Sequence, residues 1–258
     1  MGYSAEFYVD KARQLIQDGE YEEAIAYTNE AIKINPSNFL AWFWKAYALY
    51  DLGRYEEAIA CLDKALKLDP NAAYAWNGKG NALYGLGRYE EVIDCCDKVL
   101  EQNPRDVKIL LMKVESLKML KRYEQAAKIY KEVIDIEIDN KEALRGLGEL
   151  LYSMGDYDQA IGYLKRYMEL NSRDKDAYMM AGNIFLEQGK LWEALECFEN
   201  VLEIEEKNIE ALQMKSVTLG LLGYRKEAME TIRKALEIEP NNEVSKEICE
   251  KLVSTENN

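Results

Sequence analysis

Histidine is absent from the chain, and cysteine occurs at positions 61, 95, 96, 197 and 249. These two residue types most often ligate transition metals or supply activated nucleophiles, so their number and spacing come first. No Cys-x-x-Cys pair occurs, the cysteine count is odd, and no imidazole is available for a zinc site or a nucleophile–base pair. The cysteines therefore read as small, semi-buried apolar side chains in a reducing compartment. Two glycine clusters, Gly78-Lys79-Gly80 and Gly146-Leu147-Gly148, lie inside predicted helices and miss both the phosphate-loop and the dinucleotide-binding spacing. The adjacent carboxylates Glu56-Glu57 and Glu90-Glu91 open predicted helices, where negative charge complements the helix dipole. No catalytic residue, cofactor or metal is expected, and the chain reads as a non-enzyme.

The elements that carry these residues recur. Cys61 and Cys95 are 34 residues apart, and so are their surroundings: the stretch Gly53 to Pro70 returns from Gly87 to Pro104 and, more loosely, from Gly155, Gly189 and Gly223. A fixed period of this length marks a solenoid or an array. With Pro36 and Pro70 as register marks, the units are 5–38, 39–72, 73–106, 107–140, 141–174, 175–208 and 209–242, followed by a capping helix expected over 243–253 in a polar tail that ends at 258.

Each unit reads as two helices. The unit before each first helix ends on Asn38, Ala72, Asp106, Asn140, Asp174, Asn208 or Asn242, and six of these seven can cap the free amides that follow. Fifteen residues in comes Gly19, Gly53, Gly87, Lys121, Gly155, Gly189 or Gly223, where glycine permits the left-handed conformation that stops a helix. Small residues mark close helix crossings, at the eighth position from Ala12 to Ser216 and at the twentieth from Ala24 to Ala228. Trp42, Trp76 and Tyr178, with Tyr21, Tyr55, Tyr89, Tyr123 and Tyr157, are expected to fill the core beside them.

The period, the aromatic at the fourth position, the small residue at the eighth, the Gly-x-Tyr turn, the alanines at the twentieth and twenty-seventh positions and the closing proline resemble the tetratricopeptide repeat over residues 5–242. Trp42-x-x-Lys45-Ala46 and Trp76-x-x-Lys79-Gly80, each followed by Leu-Gly-Arg-Tyr-Glu-Glu, are most similar to archaeal and cyanobacterial versions. The resemblance implies an all-α fold, a right-handed superhelical solenoid of antiparallel helix pairs whose first helices line a concave groove for a peptide or another protein. The middle departs from the pattern: Lys121 replaces the glycine, Ile138, Ser172 and Glu206 replace the proline, and bulky Tyr167 takes a small position. These changes are expected to loosen or bend the stack locally.

The stripe of the first helices that the repeat pattern leaves free is rich in rings, thioethers and amides, which suits recognition of an extended chain or a helix. In the second unit it holds Phe43, Trp44, Tyr47 and Tyr50, with Trp44 about 200° around the helix from Trp42. The third supplies Tyr74, Asn77, Asn81 and Tyr84, and further on come Met112, Tyr152, Met179, Met180 and Asn183. Residues 107–140 are the only net-positive unit, with seven Lys or Arg against six Asp or Glu. Lys108, Lys118 and Arg145 are expected to face inward, either receiving an acidic peptide or balanced by Glu115, Glu142 and Glu149. The carboxylate clamp for chaperone C-termini known in the family is incomplete, because Phe43, Gly78 and Met112 occupy positions it requires.

A net charge of −14 disfavours nucleic acid and anionic membranes as partners. The longest obvious apolar run, Phe39 to Trp44, is far short of the ~18 residues of a spanning helix, and the first residues lack a leader or lipidation pattern. The expectation is a cytoplasmic, non-catalytic scaffold that binds protein or peptide in its groove. The alternative is a module that forms homo-oligomers through the groove or the repeat ends.

Overall fold

The computed structural model describes residues 3–254. Those residues form fifteen α-helices and no strand. They gather into two compact units that divide after Ile136, two residues before Ile138, which stands where other repeats close on proline. The first unit contains α1 (Ala5–Gln17), α2 (Tyr21–Ile34), α3 (Phe39–Asp51), α4 (Tyr55–Leu68), α5 (Ala73–Gly85), α6 (Tyr89–Leu100), α7 (Val107–Met119) and α8 (Tyr123–Ile136). The second contains α9 (Lys141–Ser153), α10 (Tyr157–Leu170), α11 (Lys175–Glu187), α12 (Leu191–Ile204), α13 (Ile209–Leu221), α14 (Arg225–Ile238) and α15 (Glu243–Ser254). The odd-numbered helices from α1 to α13 are each the first of a pair, and three residues join them to the second; α15 stands alone after them. No helix among the described residues is long and apolar enough to cross a membrane.

The helix boundaries follow from local chemistry. Asn38, Asp106, Asn140, Asp174, Asn208 and Asn242 each accept a hydrogen bond from an amide in the first turn that follows. Ala72 has no such oxygen, and there the Ala75 amide donates to the backbone carbonyl of Ala72 instead, at 2.9 Å. At the turn between paired helices six glycines take φ between +68° and +84°. Lys121 adopts the same left-handed region, φ +58°. Its turn keeps the bonding of the glycine turns: the Arg122 amide donates to Leu117 O at 2.9 Å, as Arg54 does to Leu49 O. The unit therefore keeps the turn geometry at a cost of about 1–2 kcal/mol in backbone strain.

Side-chain size is matched inside each pair. Ala12, Ala46, Val114 and Ser216 are all buried where their pairs cross, and so are Ala24, Ala58, Ala160, Ala194 and Ala228. A Cβ at Gly182 would stand 2.5 Å from the Phe198 ring, and one at Gly148 2.8 Å from Leu164. A methyl at either glycine would have to displace the large side chain opposite it on the second helix. Ser216, at the corresponding position, donates its hydroxyl to Ala228 O at 2.8 Å. Trp42 and Trp76 are half-buried, and each indole donates back to the preceding proline carbonyl, Pro36 O at 2.9 Å and Pro70 O at 2.8 Å.

Tyr167 does not disrupt its surroundings. It is buried, and its hydroxyl donates to Asp174 Oδ2 at 2.7 Å while accepting from Asn171 Nδ2 at 2.7 Å. A bulky residue is accommodated at a small position because its polar tip reinforces the cap of α11. At the end of the second unit, α15 covers α13 and α14. Ile248, Cys249 and Leu252 pack on Leu212, Ile232 and Ala235, and buried Gln213 donates to Asn242 Oδ1 and Ser245 Oγ, both at 2.9 Å.

Candidate ligand groove

The groove of the first unit is built from α3, α5 and α7, held in place by the caps at Asn38 and Asp106 and by the glycine turns that follow α3 and α5. An aromatic seam starts it. Phe43 meets Tyr74 edge to face at 4.9 Å, and Phe39 meets the same ring at 5.4 Å. Tyr50 and Tyr84 lean on Tyr55 and Tyr89 of the paired helices, at 5.5 and 5.3 Å. The seam borders a half-open cleft of about 310 Å³ lined by Phe43, Ala46, Tyr47, Tyr50, Leu62, Tyr74, Asn77, Gly78 and Asn81. Beside it lies a second cleft of about 360 Å³, lined by Asn77, Asn81, Tyr84, Lys108, Ile109, Met112 and Glu115. The two share Asn77 and Asn81, so they form one continuous trough.

Its polar groups are largely unspent. Among the described residues, neither Asn77 nor Asn81 makes a side-chain hydrogen bond, and Lys108 makes no ion pair. Burial, with Tyr55 and Asp51 nearby, pushes the Tyr50 phenol up. Burial and then Asp69 do the same for Tyr74, and burial and then Glu115 for Tyr84. These phenols are therefore protonated donors at neutral pH. Glu115 is held by Lys118, 2.9 Å away. The arrangement can bury an apolar side chain, satisfy a ligand backbone through amides and meet a carboxylate at Lys108.

Nine of the residues expected in the groove thus line the trough. Trp44 does not line it: half-buried, its ring packs with Ala5, Val9, Ala31 and Ala41 and meets the lining rings of Phe43 at 5.2 Å and Tyr47 at 5.9 Å. Lys118 is spent on Glu115. Arg145 is spent as well, with Nε 2.8 Å from Glu149 Oε1, though not aligned as a hydrogen bond, and 3.4 Å from Asp174 Oδ2. The balanced alternative is the one found at these two cations. Met179 requires a correction. It is 9% exposed and sits in the core of the second unit with Phe185, Phe198 and Ala211, because its position in the stripe also faces the neighbouring helices. Tyr152, Met180 and Asn183 are half-buried, and Tyr152 leans on Tyr157 at 5.7 Å.

The sequence did not point to Leu62, which floors the first cleft from α4. A Cβ at Gly78 would stand 3.5 Å from it, so with no side chain at Gly78 the buried Leu62 forms the floor of the cleft. Gly78 was the available signal, since Trp44 and Met112 occupy the same position in the flanking repeats. The cysteines are placed as expected for apolar residues: Cys61, Cys95, Cys96 and Cys197 are buried. Burial pushes the thiols of Cys95 up to about 11 and of Cys96 and Cys197 up to about 12, which leaves them un-ionised and unreactive at neutral pH.

Three family models described as tetratricopeptide repeat match the chain, at residues 9–73 and 46–107, at 117–184, and at 175–208 and 209–242. Among solved structures, the C-terminal part of a TPR repeat-containing protein from Cytophaga hutchinsonii is similar with a TM-score of 0.79 at 14% identity, over 93% of this chain and 98% of that one. MamA 41-end from Desulfovibrio magneticus is similar with a TM-score of 0.61 at 23% identity, over 67% of this chain and 97% of that one. A chain in the structure of Naa15/Naa10 bound to HypK-THB gives 0.68 at 17% identity, over 97% of this chain and 39% of that one. At these identities the likeness is one of fold. Curated protein sequences give no match.

Proposed function

The chain belongs to the tetratricopeptide repeat family, and on that premise we propose that it is a non-catalytic protein-interaction scaffold that holds a partner segment in the trough of α3, α5 and α7. The observation that carries the reading is the continuity of the two clefts through Asn77 and Asn81, whose side-chain amides have no partner among the described residues. An extended peptide laid along the trough would bury side chains among Phe43, Tyr47 and Tyr74 and exchange backbone hydrogen bonds with the two amides. The assembly named in the Naa15/Naa10–HypK-THB structure is consistent with a scaffold role for such a stack.

Selection from a random-peptide display library tests this. Peptides enriched on the wild type should lose binding to a Tyr47→Ala/Tyr84→Ala variant of unchanged helicity; equal binding to both proteins would place recognition elsewhere.

A second reading, self-association, is favoured by one feature. At the start of the first unit Tyr3 is 62% exposed and stacks on Phe7 at 4.1 Å, leaving an aromatic pair in water. Light scattering decides this point: a wild-type monomer at micromolar concentration removes the reading, and a dimer lost on Phe7→Glu supports it.

A further inference from the structure

We infer that the trough is selective for an internal acidic segment that carries one bulky apolar side chain, the apolar group entering the Leu62-floored cleft and a side-chain carboxylate meeting Lys108. The inference rests on the groove reading above and goes further by fixing the chemistry of the occupant.

Two independent features set that chemistry. The first is the hole over Leu62. Gly78 contributes no side chain, so the cleft is walled by Phe43, Tyr47, Tyr50 and Tyr74 and reaches down to an aliphatic floor supplied by the second helix of the preceding repeat. A half-open, mainly apolar cleft of about 310 Å³ takes a large anchor such as an indole or phenyl ring. The second is the charge balance next door. Lys108 is exposed and makes no ion pair among the described residues, whereas Glu115, the one carboxylate lining that cleft, is already held by Lys118. A ligand carboxylate therefore finds an unpaired ammonium with the Asn81 amide beside it. A ligand ammonium finds only an acid that is already neutralised.

The two clefts meet at Asn77 and Asn81, so the ligand backbone crosses the amides between its anchor and its acid. An asparagine side chain both donates and accepts, which suits a continuing peptide bond at this point. The same glycine that leaves the carboxylate clamp incomplete thus opens the anchor site. Selection then rests on side-chain chemistry and is indifferent to whether the ligand's C-terminus is free.

The test uses the full chain and a fluorescent array of short peptides on a Gly-Ser background, amidated at the C-terminus. Members carry one Trp and one Asp at varied spacings, and matched controls carry Trp with Lys or Ala with Asp. Wild type should bind the best Trp–Asp member at least about tenfold more tightly than either control, and a free C-terminus should change little. Lys108→Glu, at an exposed position, should reverse the preference towards Trp–Lys. Gly78→Leu should abolish the advantage of Trp over Ala, and the milder Gly78→Ala should reduce it if the larger substitution unfolds the repeat.

Equal binding of Trp–Asp and Trp–Lys members, dependence on a free C-terminus, or no measurable binding by any member overturns the inference. If peptides bind without charge preference yet are lost on Gly78→Leu, the groove reading survives alone. If binding is unaffected by Gly78→Leu, Lys108→Glu and Tyr84→Ala together, both fail.

Discussion

The rings of Trp192 and Tyr224 meet edge to face at 5.7 Å, on a rung that is ionic in the first unit. There the equivalent pairs are Glu22 with Arg54, at 3.5 Å, and Glu90 with Arg122, at 2.9 Å. Each rung ties the second helix of one repeat to the turn before the second helix of the next. The two kinds of rung should respond differently to salt. A double-alanine cycle on Trp192 and Tyr224 should give a coupling of about 0.5–1.5 kcal/mol that salt leaves unchanged. The cycle on Glu90 and Arg122 should give about 0.2–1 kcal/mol and shrink as ionic strength rises. Chemical denaturation with urea at two salt concentrations checks both.

Lys121→Gly should stabilise the protein by about 1 kcal/mol, because it relieves the left-handed strain while the turn's hydrogen bonds remain. The readout is the urea midpoint. A neutral or destabilising result would mean that the lysine side chain contributes more than the strain costs.

Two glycines in the second unit should respond in opposite directions to the same substitution. Nothing lies within 4 Å of a Cβ at Gly162, an exposed position inside α10, so Gly162→Ala should gain about 0.5–1 kcal/mol. Gly182→Ala drives its methyl into the Phe198 ring and should lose about 1–3 kcal/mol. Paired thermal melts suffice, and similar shifts in both variants would refute the size-matching account.

Tyr167→Phe should weaken the cap of α11 in a pH-dependent way. Burial opposes ionisation of Asp174, but hydrogen bonds from Tyr167 and from the Ala177 and Asp176 amides, with Arg145 nearby, hold its carboxyl below the usual range. A carboxyl depressed on folding contributes stability above its unfolded value, about 3.9, and that contribution is lost as pH falls through the folded value. The variant should therefore be less stable at neutral pH by about 1.5 kcal/mol. The gap between the two proteins should narrow below about pH 4. A gap that persists unchanged in acid would show that the hydroxyl acts through packing alone.

How far the sequence could be read depended on the range of the interaction. Helix ends were legible because caps and left-handed turns are local: Asn38, Asp106 and Gly53 act on their own neighbours. The groove stripe on α3 and α5 was legible from helical spacing. Interactions between elements were not. Helical spacing says that Met179 shares a face with Asn183, but not that the adjoining helices bury it. Leu62 reaches the trough from a second helix, where no periodic signal marks it as exposed to a ligand. The pairing of Lys118 with Glu115 was only one of two options, and the partner of Tyr167 lies seven residues away, across a turn.

The match of Gly182 to Phe198 and of Gly148 to Leu164 bears on how such a chain can be recombined. Repeats that share a sequence pattern look interchangeable, yet each first helix carries the imprint of its own second helix. A chimera joined between repeats carries both halves of each fit together. One joined inside a repeat, for example with α3 grafted before α12, sets Ala46 under the ring of Phe198, where the native chain has glycine. The heritable module is the hairpin, and the 34-residue period marks its length without marking where it can be cut.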